Sequence, residues 1–227
     1  MVSRGSFETD TFQTSSGELS ITFLGHASLL MGFNGMNIFI DPFGKVADYS
    51  SFPKADLILA THDHYDHLDP QALAAIRTSA TVIVLNPAGI RQFGDGITMR
   101  NGEIKTIAGV RIEALPAYNL VHMRENGQPF HPKGEGNGYI LTFGDKRVYI
   151  AGDTENIPEM KRLKDIDIAF LPMNLPYTMT PEMVADAART FKPRILYPYH
   201  FGTTDTEKVV ELLKADKGIE VRIRNLS

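Results

Sequence analysis

The chain has 227 residues, carries 23 Lys+Arg against 27 Asp+Glu for a net charge of −4, and is 43% hydrophobic and 22% charged. That balance is ordinary for a soluble globular protein with a sizeable core, and it argues against a broad basic surface for nucleic acid. No run reaches the length of a membrane span. The absence of Cys excludes disulfides, thiol nucleophiles and thiolate metal ligands, so any metal must be held by His, Asp or Glu.

Residues 1–18 are polar and read as a loosely held N-terminal arm ahead of a domain over 19–227. The first six residues contain no apolar stretch of signal-peptide type, so a cytoplasmic location is expected, although a removed export signal would leave no trace. Strand character follows at Ile21–Leu24, Ser28–Phe33 and Asn37–Ile40, with a hairpin turn across Gly32–Gly35 that holds Phe33-Asn34. Leu57–Ala60 is a short continuous apolar run of the kind buried on both faces. Asp69-Pro70 and Asn86-Pro87 each read as an N-cap followed by Pro at the first helical position. Ile97–Pro116 alternates like a β-meander with turns at Asn101-Gly102 and Ala108-Gly109.

Leu120–Gly138 is a long polar loop of the sort that is usually functional or disordered. A second hairpin spans Tyr139–Phe143 and Arg147–Ala151, and Ile168–Leu171 is another buried strand. Thr180-Pro181 opens a helix, Ile195–Tyr197 is strand-like, and Thr204 to Glu207 has capping-box spacing ahead of a last helix. Meander strands mixed with β-α-β alternation imply mixed sheets covered by helices.

The histidines carry the functional signal. Three of the seven fall within Thr61-His62-Asp63-His64-Tyr65-Asp66-His67, between a buried strand and a capped helix. Alternation places His62 and His64 on one side of an extended backbone, and the turn into the helix can swing Asp66 and His67 to the same cavity. Imidazoles with a carboxylate at a strand end suit Zn, Fe, Mn or Ni.

His-x-His-x-Asp-His resembles the signature of the metallo-β-lactamase fold, a superfamily of metal-dependent hydrolases. Gly152-Asp153-Thr154 is similar to its metal-bridging aspartate turn, and Tyr197-Pro198-Tyr199-His200 to the segment carrying its late histidine ligand. Leu24-Gly25-His26-Ala27-Ser28 and Ile40-Asp41-Pro42 resemble the branch containing ascorbate-phosphate lactonase and the N-acyl phosphatidylethanolamine phospholipase. The resemblance implies an αββα sandwich, two mixed sheets packed face to face with helices outside, and a site at one edge. It further implies two divalent ions, Zn first among them. His62 and His64 would hold one ion, Asp66, His67 and His200 the other, and Asp153 would bridge them. A shared hydroxide between the ions would then cleave a small ester, lactone or phosphodiester, with Asp66 orienting it and carrying a proton to the leaving group.

Other residues keep two readings. His26 is a neighbour of the site or a packed structural histidine; Asp41 orients a ligand imidazole or caps a turn with Pro42. Tyr177 is expected beside the substrate cleft. One departure from the family pattern stands out: where a further histidine of the first ion is expected, the sequence has Pro116-Ala117-Tyr118-Asn119. Asn is a weaker ligand than imidazole. His122 and His131 are the unassigned histidines, and His131, flanked by Pro129 and Pro132, is expected to complete the first site, with Asn119 close by and Gly134, Gly136 and Gly138 as the flexible side of a lid. The competing function is a metal- or ligand-binding protein with an incomplete site. The expected partner is a small-molecule substrate, and self-association is compatible with the sequence.

Overall fold

Residues 7–226 are described by a computed structural model. Leu19, Ile21 and Phe23 alternate with Ser20 and Thr22 in β2 (Gly17–Gly25), so one face of that strand is fully buried. It pairs antiparallel with β3 (Ser28–Phe33), which pairs in turn with β4 (Met36–Ile40). Asn34 (φ 49°) and Gly35 (φ 80°) both adopt the left-handed conformation that a tight two-residue hairpin requires. β5 (Leu57–Leu59), β6 (Val82–Leu85) and β7 (Ile97–Thr98) then extend the sheet in parallel, while β1 (Thr9–Thr14) forms its other edge.

The second sheet repeats this plan. β8 (Ile104–Ile107), β9 (Val110–Ala117), β10 (Gly136–Phe143) and β11 (Lys146–Ile150) are antiparallel, and β12 (Ile168–Pro172), β13 (Ile195–Tyr199) and β14 (Glu220–Val221) add in parallel. The two sheets share one apolar core, in which the Phe23 ring lies 5.1 Å from Tyr197 and the Phe33 ring 5.0 Å from Phe143. Outside, α1 (Pro70–Ile76) buries Ala72, Leu73 and Ile76 with Phe39, Ile58 and Leu85 of the first sheet, and α2 (Pro87–Phe93) flanks it. On the opposite side α3 (Pro181–Phe191) brings Phe191 within 5.8 Å of Tyr149, and α4 (Glu207–Leu213) packs on α3. Asp69, Asn86 and Thr180 each cap a helix through a side-chain oxygen and are each followed by Pro at the first turn.

Four expectations are corrected. The arm over 1–18 is not loose across 9–14: those residues form β1, and Asp10 binds Arg224, with its carboxylate also against Arg222 and the Tyr197 hydroxyl. Residues 1–6 lie outside the described part. The stretch 97–116 is not one meander, because β7 joins the first sheet while β8 and β9 form a hairpin in the second. Gly136 and Gly138 are not flexible: both are buried in β10, where a Cβ on either would lie 2.8 Å from a neighbouring backbone oxygen. No capping box forms at Thr204, whose hydroxyl instead accepts from the Leu175 N–H.

Both sheets send parallel strands in one direction, and the chemistry-bearing residues follow their C-terminal ends. Asp41 follows β4, the run Thr61–His67 follows β5, Asp153 follows β11, and His200 follows β13. Ligand sites in α/β sheets collect at these ends because the chain there is freed from the ladder.

Candidate metal centre

Three overlapping groups of donors meet at this edge. His62, His64 and His131 form one, His26, Asp66, His67 and His200 a second, and His62, His67 and Asp153 a third; within each, the candidate ligand atoms lie within 4.8 Å of one another. Asp153 joins the groups. Its Oδ2 lies 3.2 Å from His131 Nε2 and 3.6 Å from His200 Nε2, and its Oδ1 lies 3.5 Å from His67 Nε2. Asp66 Oδ2 lies 3.5 Å from His200 Nε2 and 3.8 Å from His67 Nε2.

The imidazoles are oriented from behind. Asp41 is fully buried and accepts from the Thr61 N–H (2.7 Å), the Thr61 hydroxyl (2.8 Å) and His67 Nδ1–H (2.8 Å). The single Thr61 hydroxyl proton is thereby committed to Asp41, so the Thr61 oxygen accepts from His62 Nδ1–H at 3.1 Å. Asn119 plays the same part for His131: its Oδ1 accepts from His131 Nδ1–H at 2.7 Å and from the His131 N–H at 3.0 Å. His67, His62 and His131 consequently all turn Nε2 towards the centre. At the stretch where the sequence has an amide, the His131 imidazole faces the cluster and Asn119 holds it.

The backbone here is strained. His26 (φ 55°), Asp41 (φ 44°) and His200 (φ 44°) all occupy the left-handed region, which side chains adopt only when their surroundings over-determine it. The His200 N–H donating to the His26 carbonyl at 3.0 Å is one such constraint. Gly152 (φ 67°) has no alternative, since a Cβ would stand 2.6 Å from the Asn137 carbonyl oxygen; it delivers Asp153 into the centre.

The electrostatics ask for positive charge. Burial would raise the pKa of Asp153, but His200, His67 and His131 more than reverse this and hold the carboxylate ionised. Asp66 is likewise kept far below the usual range, against its burial, by His200 and His26. Burial drives His62 well down and His64 and His26 down, leaving neutral imidazoles. His67 goes the other way: burial opposes the imidazolium, yet Asp153 and Asp41 pull its pKa up to about 10. His62 Nε2, His67 Nε2, Asp153 Oδ1 and both ring nitrogens of His200 are buried with no hydrogen-bond partner among the described residues. Orphaned polar atoms of this kind are costly. Converging imidazole nitrogens and ionised carboxylates, whose pull on His67 is strong enough to hold a proton there, are what divalent cations satisfy, so the donor set fits metal ions.

A cleft of about 390 Å³ opens onto these groups and is lined also by Tyr65, Arg124, Phe130, Asn174 and Tyr177. His122 is turned away from it, its Nδ1 lying 2.7 Å from Glu155 Oε1. Glu155 escaped the sequence reading altogether. It is fully buried and accepts the N–H groups of Leu120, Val121 and His122 (2.7, 2.7 and 2.8 Å) and the Asn119 amide (3.1 Å). Its only sequence signal is a carboxylate two residues after Asp153, which is no signal at all without the folded loop. Arg124, Asn174 and Thr61 were missed for the same reason.

The Beta-lactamase superfamily domain matches residues 20–200. The chain belongs to that family. Among relatives, a UPF0173 metal-dependent hydrolase of Methanopyrus kandleri is 31% identical over 196 residues, covering 82% of this chain and 85% of its own. A crystal structure assigned as a metal-dependent hydrolase from Parabacteroides distasonis is 52% identical, with a TM-score of 0.93 over 97% of this chain and 100% of the other. The metallo hydrolase Igni18 of Ignicoccus hospitalis is 25% identical, with a TM-score of 0.75 over 92% and 96%. This metallo-β-lactamase-family chain is a metal-dependent hydrolase, and its His/Asp cluster could bind metal. No helix among the described residues is long and apolar enough to cross a membrane.

Proposed function

We propose that the protein cleaves a small ester, lactone or phosphodiester with two divalent ions. His62, His64 and His131 would hold one, Asp66, His67 and His200 the other, and Asp153 would serve both. The observation that carries this reading is the set of buried, partnerless nitrogen and oxygen atoms on His62, His67, Asp153 and His200. Bound divalent ions supply Lewis acidity, lowering the pKa of a water from about 16 towards 7 and polarising the scissile carbonyl or phosphoryl oxygen.

The chain's own groups do the rest. Asp66 lines the cleft, is ionised, and is held in one orientation by His26 Nε2–H at 2.9 Å. It is the group that takes the proton of the attacking water and hands it to the leaving group. His26 acts through Asp66 and is a positioning residue. Tyr177, 44% exposed at the cleft, offers a contact to the part of the substrate away from the reacting bond.

Chelation is expected to abolish hydrolysis across a panel of esters, lactones and phosphodiesters, and added divalent metal to restore it. Asp66→Asn is expected to lose about 10²- to 10⁴-fold in rate while keeping most of its metal. Unchanged turnover in Asp66→Asn would remove this carboxylate from the mechanism.

A further inference from the structure

Beyond the candidate ligands, the cleft wall contains one formal charge, the guanidinium of Arg124. The loop that carries it is tightly tied. The Arg124 N–H donates to the Gln128 carbonyl at 2.7 Å, the Gly127 N–H donates back to the Arg124 carbonyl at 2.9 Å, and Met123 pairs with Pro129. The side chain is fixed as well: Nη2–H donates to the Phe130 carbonyl at 3.0 Å, and the guanidinium lies 5.3 Å over the Phe130 ring. That ring stands edge-on to Tyr177 at 5.0 Å. Phe130 immediately precedes His131, so cation and candidate metal ligand ride on one short anchored segment.

A guanidinium offers five N–H donors in a planar fork, and among the described residues the hydrogen bond to Phe130 occupies only one of them. Arg124 is one of the residues lining the cleft. A second cation is held nearby against an aromatic ring, with Lys45 Nζ 5.1 Å over the ring of Tyr65, another cleft residue, and 3.4 Å from its hydroxyl. A neutral substrate could accept a hydrogen bond from Arg124 but would leave its charge unbalanced at the cleft. A carboxylate or phosphate group matches the fork in a bidentate manner.

We infer that Arg124 forms an anion subsite, and that the compound hydrolysed here carries a carboxylate or phosphate group close to the bond that is cut. Hydrolysis of that compound rests on the function proposed above; the anion subsite itself does not. The test therefore has a binding arm and a turnover arm, both on the metal-loaded full chain. Phenylphosphonate and phenylacetate, which contain no bond to hydrolyse, are titrated calorimetrically into wild type, Arg124→Gln and Arg124→Lys. Loss of a charge-assisted bidentate contact predicts roughly 10- to 100-fold weaker binding in Arg124→Gln, with partial recovery in Arg124→Lys and unchanged metal content in both. The anion that suffers the larger loss identifies which of the two groups the subsite prefers. In the turnover arm, the ratio of kcat/KM for an anionic ester to that for its neutral counterpart falls by a similar factor in Arg124→Gln. Equal anion affinity in wild type and Arg124→Gln overturns the proposal. Weakened binding in a protein that turns over neither ester supports the subsite and counts against the hydrolase reading instead.

Discussion

Glu155→Gln is an isosteric change with a predictable conflict. The carboxylate commits Oε2 to the Leu120 and Val121 N–H groups, and Oε1 to the His122 N–H, His122 Nδ1 and the Asn119 amide. Gln retains one acceptor oxygen, and its NH₂ must face one of these sets of donors. Flipping the Asn119 amide cannot relieve this, because Asn119 Oδ1 is committed to His131. At least two part-buried donors lose their acceptor; a fully buried one costs about 1–3 kcal/mol, so a destabilisation of about 2–3 kcal/mol is expected for the pair. The disturbance also reaches the centre when the Gln NH₂ faces Asn119, since the amide that orients His131 then keeps only the Tyr177 carbonyl as acceptor. Loss of such an outer contact weakens metal binding by about 10- to 100-fold. Denaturant unfolding of metal-free protein measures the first effect, and titration against a competing chelator the second. A Glu155→Gln protein with wild-type stability and wild-type metal affinity would refute the idea that this buried carboxylate organises the loop.

Two further outcomes follow from the fold. Burial would raise the pKa of Asp10, yet the Tyr197 hydroxyl and Arg224 lower it overall. A carboxylate whose folded pKa lies below its unfolded value stabilises fully above the unfolded value, about 3.9, and loses that contribution as pH falls through the folded one. Asp10→Asn should thus cost about 1 kcal/mol at neutral pH, because solvent screens this partly exposed pair, and the gap to wild type should close below about pH 4; a gap independent of pH would contradict the assignment. Gly152→Ala forces a side chain into left-handed backbone and a Cβ to 2.6 Å from the Asn137 carbonyl oxygen, so a loss of at least about 2 kcal/mol together with reduced metal binding is expected. A wild-type melting temperature and metal content in that variant would show the turn to be tolerant.

Local chemistry made much of this architecture legible in the sequence. Asp69-Pro70, Asn86-Pro87 and Thr180-Pro181 act over two to four residues and each sets the helix start that its residue types favour, whereas the hairpin turn expected at Phe33-Asn34 falls one residue later, at Asn34-Gly35. Long-range pairing was not legible. β1 is polar and only half-buried, and Asp10 is tied to Arg224 by contacts that span 214 residues. β7 is a two-residue strand whose sheet is chosen by its parallel partner β6, which its own alternation does not encode. Gly136 and Gly138 looked like loop glycines but are there because neighbouring backbone leaves no room for a Cβ. At the centre, the spacing of His62, His64, Asp66 and His67 was readable because one strand end carries all four. Glu155 and Arg124 were not, because their roles arise from a loop whose path depends on contacts with the turn after β11 and with Tyr177.

Metal stoichiometry tests the proposed two-ion centre completed by His131. Elemental analysis with anomalous scattering on wild type, His131→Ala and His122→Ala gives the count per chain and the positions of the ions. Two ions are predicted in wild type and in His122→Ala, and one in His131→Ala, with the loss at the position beside His62 and His64. Full occupancy in His131→Ala, or a wild-type chain that binds no transition metal at neutral pH, would contradict it.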